Sequence, residues 1–391
     1  MTAEPERDHS RVVGRGAERA PQDPGDYSAQ TLARSLWRRV RTQALLTAMA
    51  VMLVAGGGGV AVWATLSGDS PVAATPTPAA TPSPAMTRPA PVAQVWPEAV
   101  RTIPMKLPNG RKGHPRILID DRTLLLETWQ SFEKADALYT YDLKTGQTRK
   151  ITDIRTPKGV FASGYAVGEG RVVWQTIDKM RTSFWSVPLS GGQPAAIEAE
   201  TPIKGRGDGP VVIGDKIAFS LHEGGVFTLP LKGGAVTPVK GAERHHILSW
   251  PWVGTPSLDT PGNQPSFAEI LNVESGKTSK ALVRPDEEHV RCGVTTCTGW
   301  RVDRTFFYRL RDGSQERDLP QPTFGALVYD RFTTVLLEPG GQGLVDLATG
   351  RVGDLGLYGG SSINPGADPY DRLIAYELQG RYLIIDLAKI R

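Results

Sequence analysis

After residue 94 the chain repeats one alternation of polar and apolar stretches seven times. Each unit has a polar bend, three to five mostly hydrophobic residues, a second apolar strand closing on Leu or Val, and in most cases a Gly-centred turn. The closing segments are LYTYDLKTG, FWSVPLSGG, VFTLPLKGG, AEILNVESG, FYRLRDG, LVDLATG and LIIDLAK. Aligned on Leu143, Leu189, Leu231, Val273, Leu310, Leu347 and Leu387, they recur at steps of 46, 42, 42, 37, 37 and 40 residues, the period of propeller blades. The preceding strand is carried by DDRTLLLETW, GEGRVVWQT, IGDKIAFSL, YDRFTTVLLE and PYDRLIAYEL. Runs such as Val172, Val173, Trp174 and Ile217, Ala218, Phe219 are continuously apolar, as expected of sheets buried on both faces. Beyond most of the glycine turns comes a shorter strand (TRKIT, QPAAIE, AVTPVK, RVGDL), giving a hairpin whose glycines supply positive φ.

The expected fold is therefore all-β, a seven-bladed β-propeller over residues 94–391 at about 43 residues per blade. Six blades follow instead if the fourth unit, with its proline-rich insertion from Pro251 to Pro265, is not a blade. The last unit ends at Arg391 directly after its LIIDL strand and has no outermost strand of its own. The apolar stretch VRTIPMKL, residues 100–107, is placed to pair with that orphan edge. Such pairing closes the ring with both chain ends in one blade and removes an edge open to aggregation.

Residues 214–239, GDKIAFSLHEGGVFTLPLKGGAVTPV, resemble the WD-repeat-like blades of TolB-type propellers: a bend, an IAF strand, a second strand ending in Leu, a GG turn and a closing strand. The resemblance extends over about residues 110–391. It implies a propeller scaffold, used for protein binding in some members and for enzymatic chemistry in others. It carries over no ligand-contacting residue.

Three segments precede the propeller. Residues 1–42 hold eight Arg and six acidic residues with scattered Pro and Gly, too little apolar matter for a core, and are expected to form a disordered cytoplasmic tail. Residues 43–68 contain no charge, and 26 residues at ~1.5 Å each give ~39 Å of helix, enough for a ~30 Å hydrocarbon core. Arg34, Arg38, Arg39 and Arg41 stand before this segment, and the first charge after it is Asp69, which places the basic side in the cytoplasm and the propeller outside. A cleaved signal peptide has the same order of regions but a shorter leader and apolar run. Residues 69–93 interleave seven prolines with Ala and Thr and read as an extended spacer. The expected setting is a single-pass bacterial cell-membrane protein that contacts the bilayer through residues 43–68.

Charge excludes one class of partner. Residues 94–391 carry 36 Lys and Arg against 34 Asp and Glu, with no concentrated basic face for nucleic acid. Cys292 and Cys297 are the only cysteines; export makes them a disulfide across a hairpin of the fifth blade, the other reading being two buried thiols. His245 and His246, if extended, point to opposite faces and cannot grip one metal, which suits a surface loop. Asp120 with Asp121, and Asp286, Glu287 and Glu288, fall in predicted turns and are expected to be solvated. Trp250, Trp252, Trp300, Tyr329 and Tyr358 read either as an exposed aromatic surface or as inter-blade core. No hydrolase elbow, zinc-protease helix, dinucleotide loop or P-loop occurs, and no residue pattern calls for a cofactor or metal. The sequence thus favours a binding module for a protein, peptide or cell-envelope ligand. The alternative is a lyase or glycan-cleaving propeller with its site in the central channel.

Overall fold

The computed structural model describes residues 88–391, except 132–133, 258–263, 320–322, 324–326, 359–363 and 366–371. The tail, the apolar segment and most of the spacer lie outside the described residues. Among those described, no helix is long and apolar enough to cross a membrane.

Seven antiparallel sheets form a β-propeller. Blade I orders Gly113–Leu118, Thr123–Ser131, Lys134–Asp142 and Thr148–Asp153. Blades II to V begin on Ala162–Gly168, Gly207–Ile213, His246–Ser249 and Glu287–Cys292. Blade VI is built on Phe332–Leu337, Gly341–Asp346 and Val352–Tyr358, with Thr323 bridging Val335 at its inner edge. Blade VII contains Asn364–Pro365, Leu373–Leu378 and Arg381–Asp386. The first strand of blade II touches the first strands of blades I and III, which sets the first strands at the axis. The fourth unit is a complete four-stranded blade, so the count is seven.

The ring closes as the apolar pattern of residues 100–107 predicts. Val100–Pro104 pairs antiparallel with Arg381–Asp386, in register from Val100 opposite Ile385 to Pro104 opposite Arg381. Val100 and Ile103 are buried, while Arg101, Thr102 and Pro104 face solvent. Residues 88–93, assigned from sequence to the end of the spacer, are part of the folded unit. Ala90 accepts a hydrogen bond from the Asp354 amide at 2.9 Å, Arg88 Nε lies 2.6 Å from the Asp354 carboxylate, and Trp96 is 4% exposed within the blade VI and VII core.

The core lies in the seams. Leu124 and Leu126 of blade I meet Leu373 and Ile384 of blade VII; Leu125, Leu138 and Ile151 meet Val172 and Trp174 of blade II; Val173 and Phe184 meet Ile217 and Phe219 of blade III. A sheet sandwiched on both sides buries successive residues, so these strands are apolar without alternation. The innermost strands, which the repeat does not reveal, obey another rule. Each of the first-to-second-strand ladders of blades I to V contains a register shift, and a bulge breaks the two-residue period. Convergence on the axis also selects small residues: a Cβ on Gly164 would come within 2.8 Å of Gly209 Cα in the next blade.

Candidate functional site

Because neighbouring strands run antiparallel, the start of each innermost strand lies at the same end of the ring as the turn between second and third strands. We call this end the mouth. At the seam of blades VII and I the sequence KGHPR starts the innermost strand of blade I there, beside Glu127 and Trp129 of its second strand and Glu377 and Tyr382 of blade VII. The His114 ring stacks on the Trp129 indole, centroids 3.7 Å apart and planes within 11°. The Tyr382 hydroxyl stands 3.3 Å from His114 Nδ1 and 3.3 Å from Glu377 Oε1. Lys112 pairs with Glu377, and Arg116 with the buried Glu127. Glu127 also accepts a 2.5 Å hydrogen bond from Trp129 Nε1, and Arg111 reaches Asp136 at 2.5 Å.

Burial, helped by the Lys112 and Arg116 charges, pushes the His114 imidazole down to about 4 against the weaker pull of Glu377. His114 is therefore neutral at pH 7, with acceptor as well as donor capacity. Burial and Glu377 raise the Tyr382 hydroxyl, and burial with Glu127 raises Tyr165 well above its usual range, so both stay protonated donors. The seam thus offers a neutral aromatic plate edged by the Tyr382 hydroxyl and paired charges.

Two sequence expectations are corrected around the same end. His246 is not in a surface loop: it begins the innermost strand of blade IV, is buried, and holds Nδ1 3.0 Å from Asp208 Oδ2 on the innermost strand of blade III. The reason is register, since the strand starts one residue after His245. Glu287 is not solvated either. It is buried and bonded by Arg309, whose Nη2 donates to Oε2 at 2.6 Å, with Arg284 donating its amide at 2.8 Å. Burial works to raise Glu287, but the Arg309 hydrogen bonds and the Arg284 contacts outweigh it and hold the carboxyl below its usual range. Glu316, clasped by Arg301, Arg309 and Arg284 against its own desolvation, falls to about 2. Asp286 is exposed, and Asp120 and Asp121 sit in an exposed turn where Asp120 accepts the Arg122 and Thr123 amides at 2.8 and 2.7 Å.

Cys292 and Cys297 face each other across the first two strands of blade V as a disulfide. The five aromatics do not form one surface. Trp250 and Trp252 are half-buried in blade IV, with Trp250 Nε1 donating to Glu274 at 3.0 Å. Trp300 of blade V packs between His289 and Phe306. Tyr329 and Tyr358 are exposed at opposite ends of blade VI. Among the described residues no group of three His, Cys, Asp or Glu side chains is arranged to hold a metal.

No protein-family model matches the chain, and no curated protein matches its sequence. Solved structures do share its architecture. YCF48 bound to a D1 peptide is 8% identical, with 76% of this chain and 97% of that one covered at a TM-score of 0.48. TolB from Acinetobacter baumannii is 13% identical with 53% of each chain covered at 0.35, so this chain spans about half that protein's length. An uncharacterized protein of Listeria monocytogenes is 11% identical, covering 74% and 95% at 0.47. The likeness is one of fold.

Proposed function

We propose that this chain is a membrane-anchored binding module whose propeller stands outside a bacterial cell membrane and engages a protein or peptide of the cell envelope on its mouth face. One observation carries the reading. Seven large hydrophobic side chains are exposed among the described residues, and five of them, Phe161, Met180, Val302, Leu336 and Tyr358, fall at the mouth end. Scattered exposed apolar residues need no explanation, but concentration on one face is what a partner-binding surface requires. The neutral His114–Trp129 plate at the same end adds aromatic area of the kind enriched at interface centres. The anchor rests on the uncharged run 43–68 and the arginines before it, and a disulfide in blade V accords with an exported domain.

Photo-crosslinkers placed at Met180 and Val302 in the full chain, within native envelopes, should capture one discrete partner. The same probe at Lys144, in a turn at the opposite end, should not. Equal capture from both ends, or none from the mouth, defeats the proposal. The second reading, an extracytoplasmic enzyme, draws on the Asp208–His246 pair, an imidazole oriented by a carboxylate as in general-base chemistry. It predicts an activity that Asp208→Asn removes while partner capture persists.

A further inference from the structure

Between blades I and II, at the outer rim and away from the mouth seam, lies a cavity of about 480 Å³, within the range of about 300–1,000 Å³ typical of small-molecule sites. One wall is the outermost strand of blade I, Thr148–Asp153, with the residues that follow it; the other is the middle of blade II. We propose that this groove is a saccharide-binding site, independent of the mouth face.

Trp174 and Trp185 are cross-strand partners in blade II, so both indoles stand on the same side of the sheet, toward blade I. The Trp185 Nε1–H donates to Thr176 Oγ1 at 3.1 Å. Its polar edge is thereby satisfied within its own sheet, and the half-buried ring is left to present apolar surface to the groove. A sugar ring offers the matching surface, an apolar C–H face flanked by hydroxyls that need donors and acceptors together. The groove supplies them. Lys150 and Asp153 form an exposed ion pair at 2.6 Å on its lip, and the Gln193 amide is exposed opposite. Thr156 Oγ1, also in the lining, is buried without a hydrogen-bond partner among the described residues. An unmet buried hydroxyl is unfavourable, and a small rotation of the Thr156 side chain on ligand entry would pair it with an occupant's hydroxyl.

An extended peptide added to the strand edge fits less well. Ile151 already accepts the Gly192 amide at 3.1 Å, and the Arg149 guanidinium donates to the Ser190 and Leu189 carbonyls at 2.7 and 2.8 Å. These bonds tie the edge to blade II, where a peptide strand would need it free.

The test is calorimetric titration of the full chain in lipid nanodiscs with trisaccharides of N-acetylglucosamine, glucose and galacturonic acid. At least one should bind. Trp185→Ala should weaken it by about tenfold or more, the loss of a stacking face. Gln193→Ala, on an exposed turn, should weaken it without moving the melting temperature. Thr156→Val should weaken binding while raising stability, a combination that a purely structural hydroxyl does not produce. The proposal is overturned if no trisaccharide binds, if Trp185→Ala and Gln193→Ala leave affinity unchanged, or if a proline-rich peptide occupies the groove while the sugars do not.

Discussion

Ile103 tests the sealing of the ring. It is 3% exposed, lies opposite Tyr382 in the closing ladder, and packs in a cluster drawn from both sides of the seam: Leu118, Leu124 and Leu126 of blade I and Leu373 and Ile384 of blade VII. Ile103→Ala removes three carbons, about 2.4 kcal/mol of transfer free energy at roughly 0.8 per methylene. A cavity between two blades that cannot collapse onto each other adds to this, giving about 3 kcal/mol in all, within the usual range of about 2–5. Its neighbour Thr102, one position along and facing solvent, provides the control, and Thr102→Ser should stay within about 0.5 kcal/mol. Urea unfolding of the two variants measures the difference. Hydrogen exchange should show faster exchange of the Arg381–Asp386 amides in the alanine variant, because that strand loses its outer partner's anchor. Equal, small effects at positions 102 and 103 would refute the closure, for then residues 100–104 would not hold the last blade.

The other predictions concern buried charge. Arg309→Met removes the main partner of Glu287, both side chains being fully buried, leaves it the Arg284 contacts alone, and should cost about 3 kcal/mol in denaturant unfolding; a loss below about 1 kcal/mol would show that the pair is not desolvated. Changing Glu287→Leu as well should recover most of that loss, because the desolvated charge then goes with its partner. His114 makes stability fall on acidification. Its folded value of about 4 lies below the unfolded ~6.5, so the unfolded chain takes up the proton first, and stability is lost as pH drops through that interval. The loss by pH 5 is about 1–2 kcal/mol after allowance for partial solvent access. His114→Phe should flatten that part of the stability profile, and an unchanged slope between pH 7 and 5 would contradict the burial of the imidazole.

The strands legible in the sequence were those whose neighbours are local. The second and third strands of each blade announce themselves as dense apolar runs joined by short turns, because hydrophobic burial on both faces and glycine at positive φ are requirements met within about ten residues. The innermost strands hid because their bulges cancel the alternation and their neighbours across the axis demand glycine or a polar side chain more than an apolar one. The Cys292–Cys297 pairing was readable for the same local reason, a short hairpin.

What the sequence determined by itself was the repeat, the blade count within one, the strand that seals the ring, and the uncharged run that motivates an external propeller. What only the tertiary structure decided was partnership across seams. Asp208 and His246 lie 38 residues apart, and Tyr382 meets His114 from 268 residues away. Glu287 looks like one member of an acidic turn until Arg309 is folded over it, and Trp185 looks like core until the groove beside it is seen. Strand and turn preferences are set by near neighbours along the chain, whereas the environment of a side chain on a blade face is set by the next blade, about forty residues away, and no local pattern specifies which residue will be waiting there.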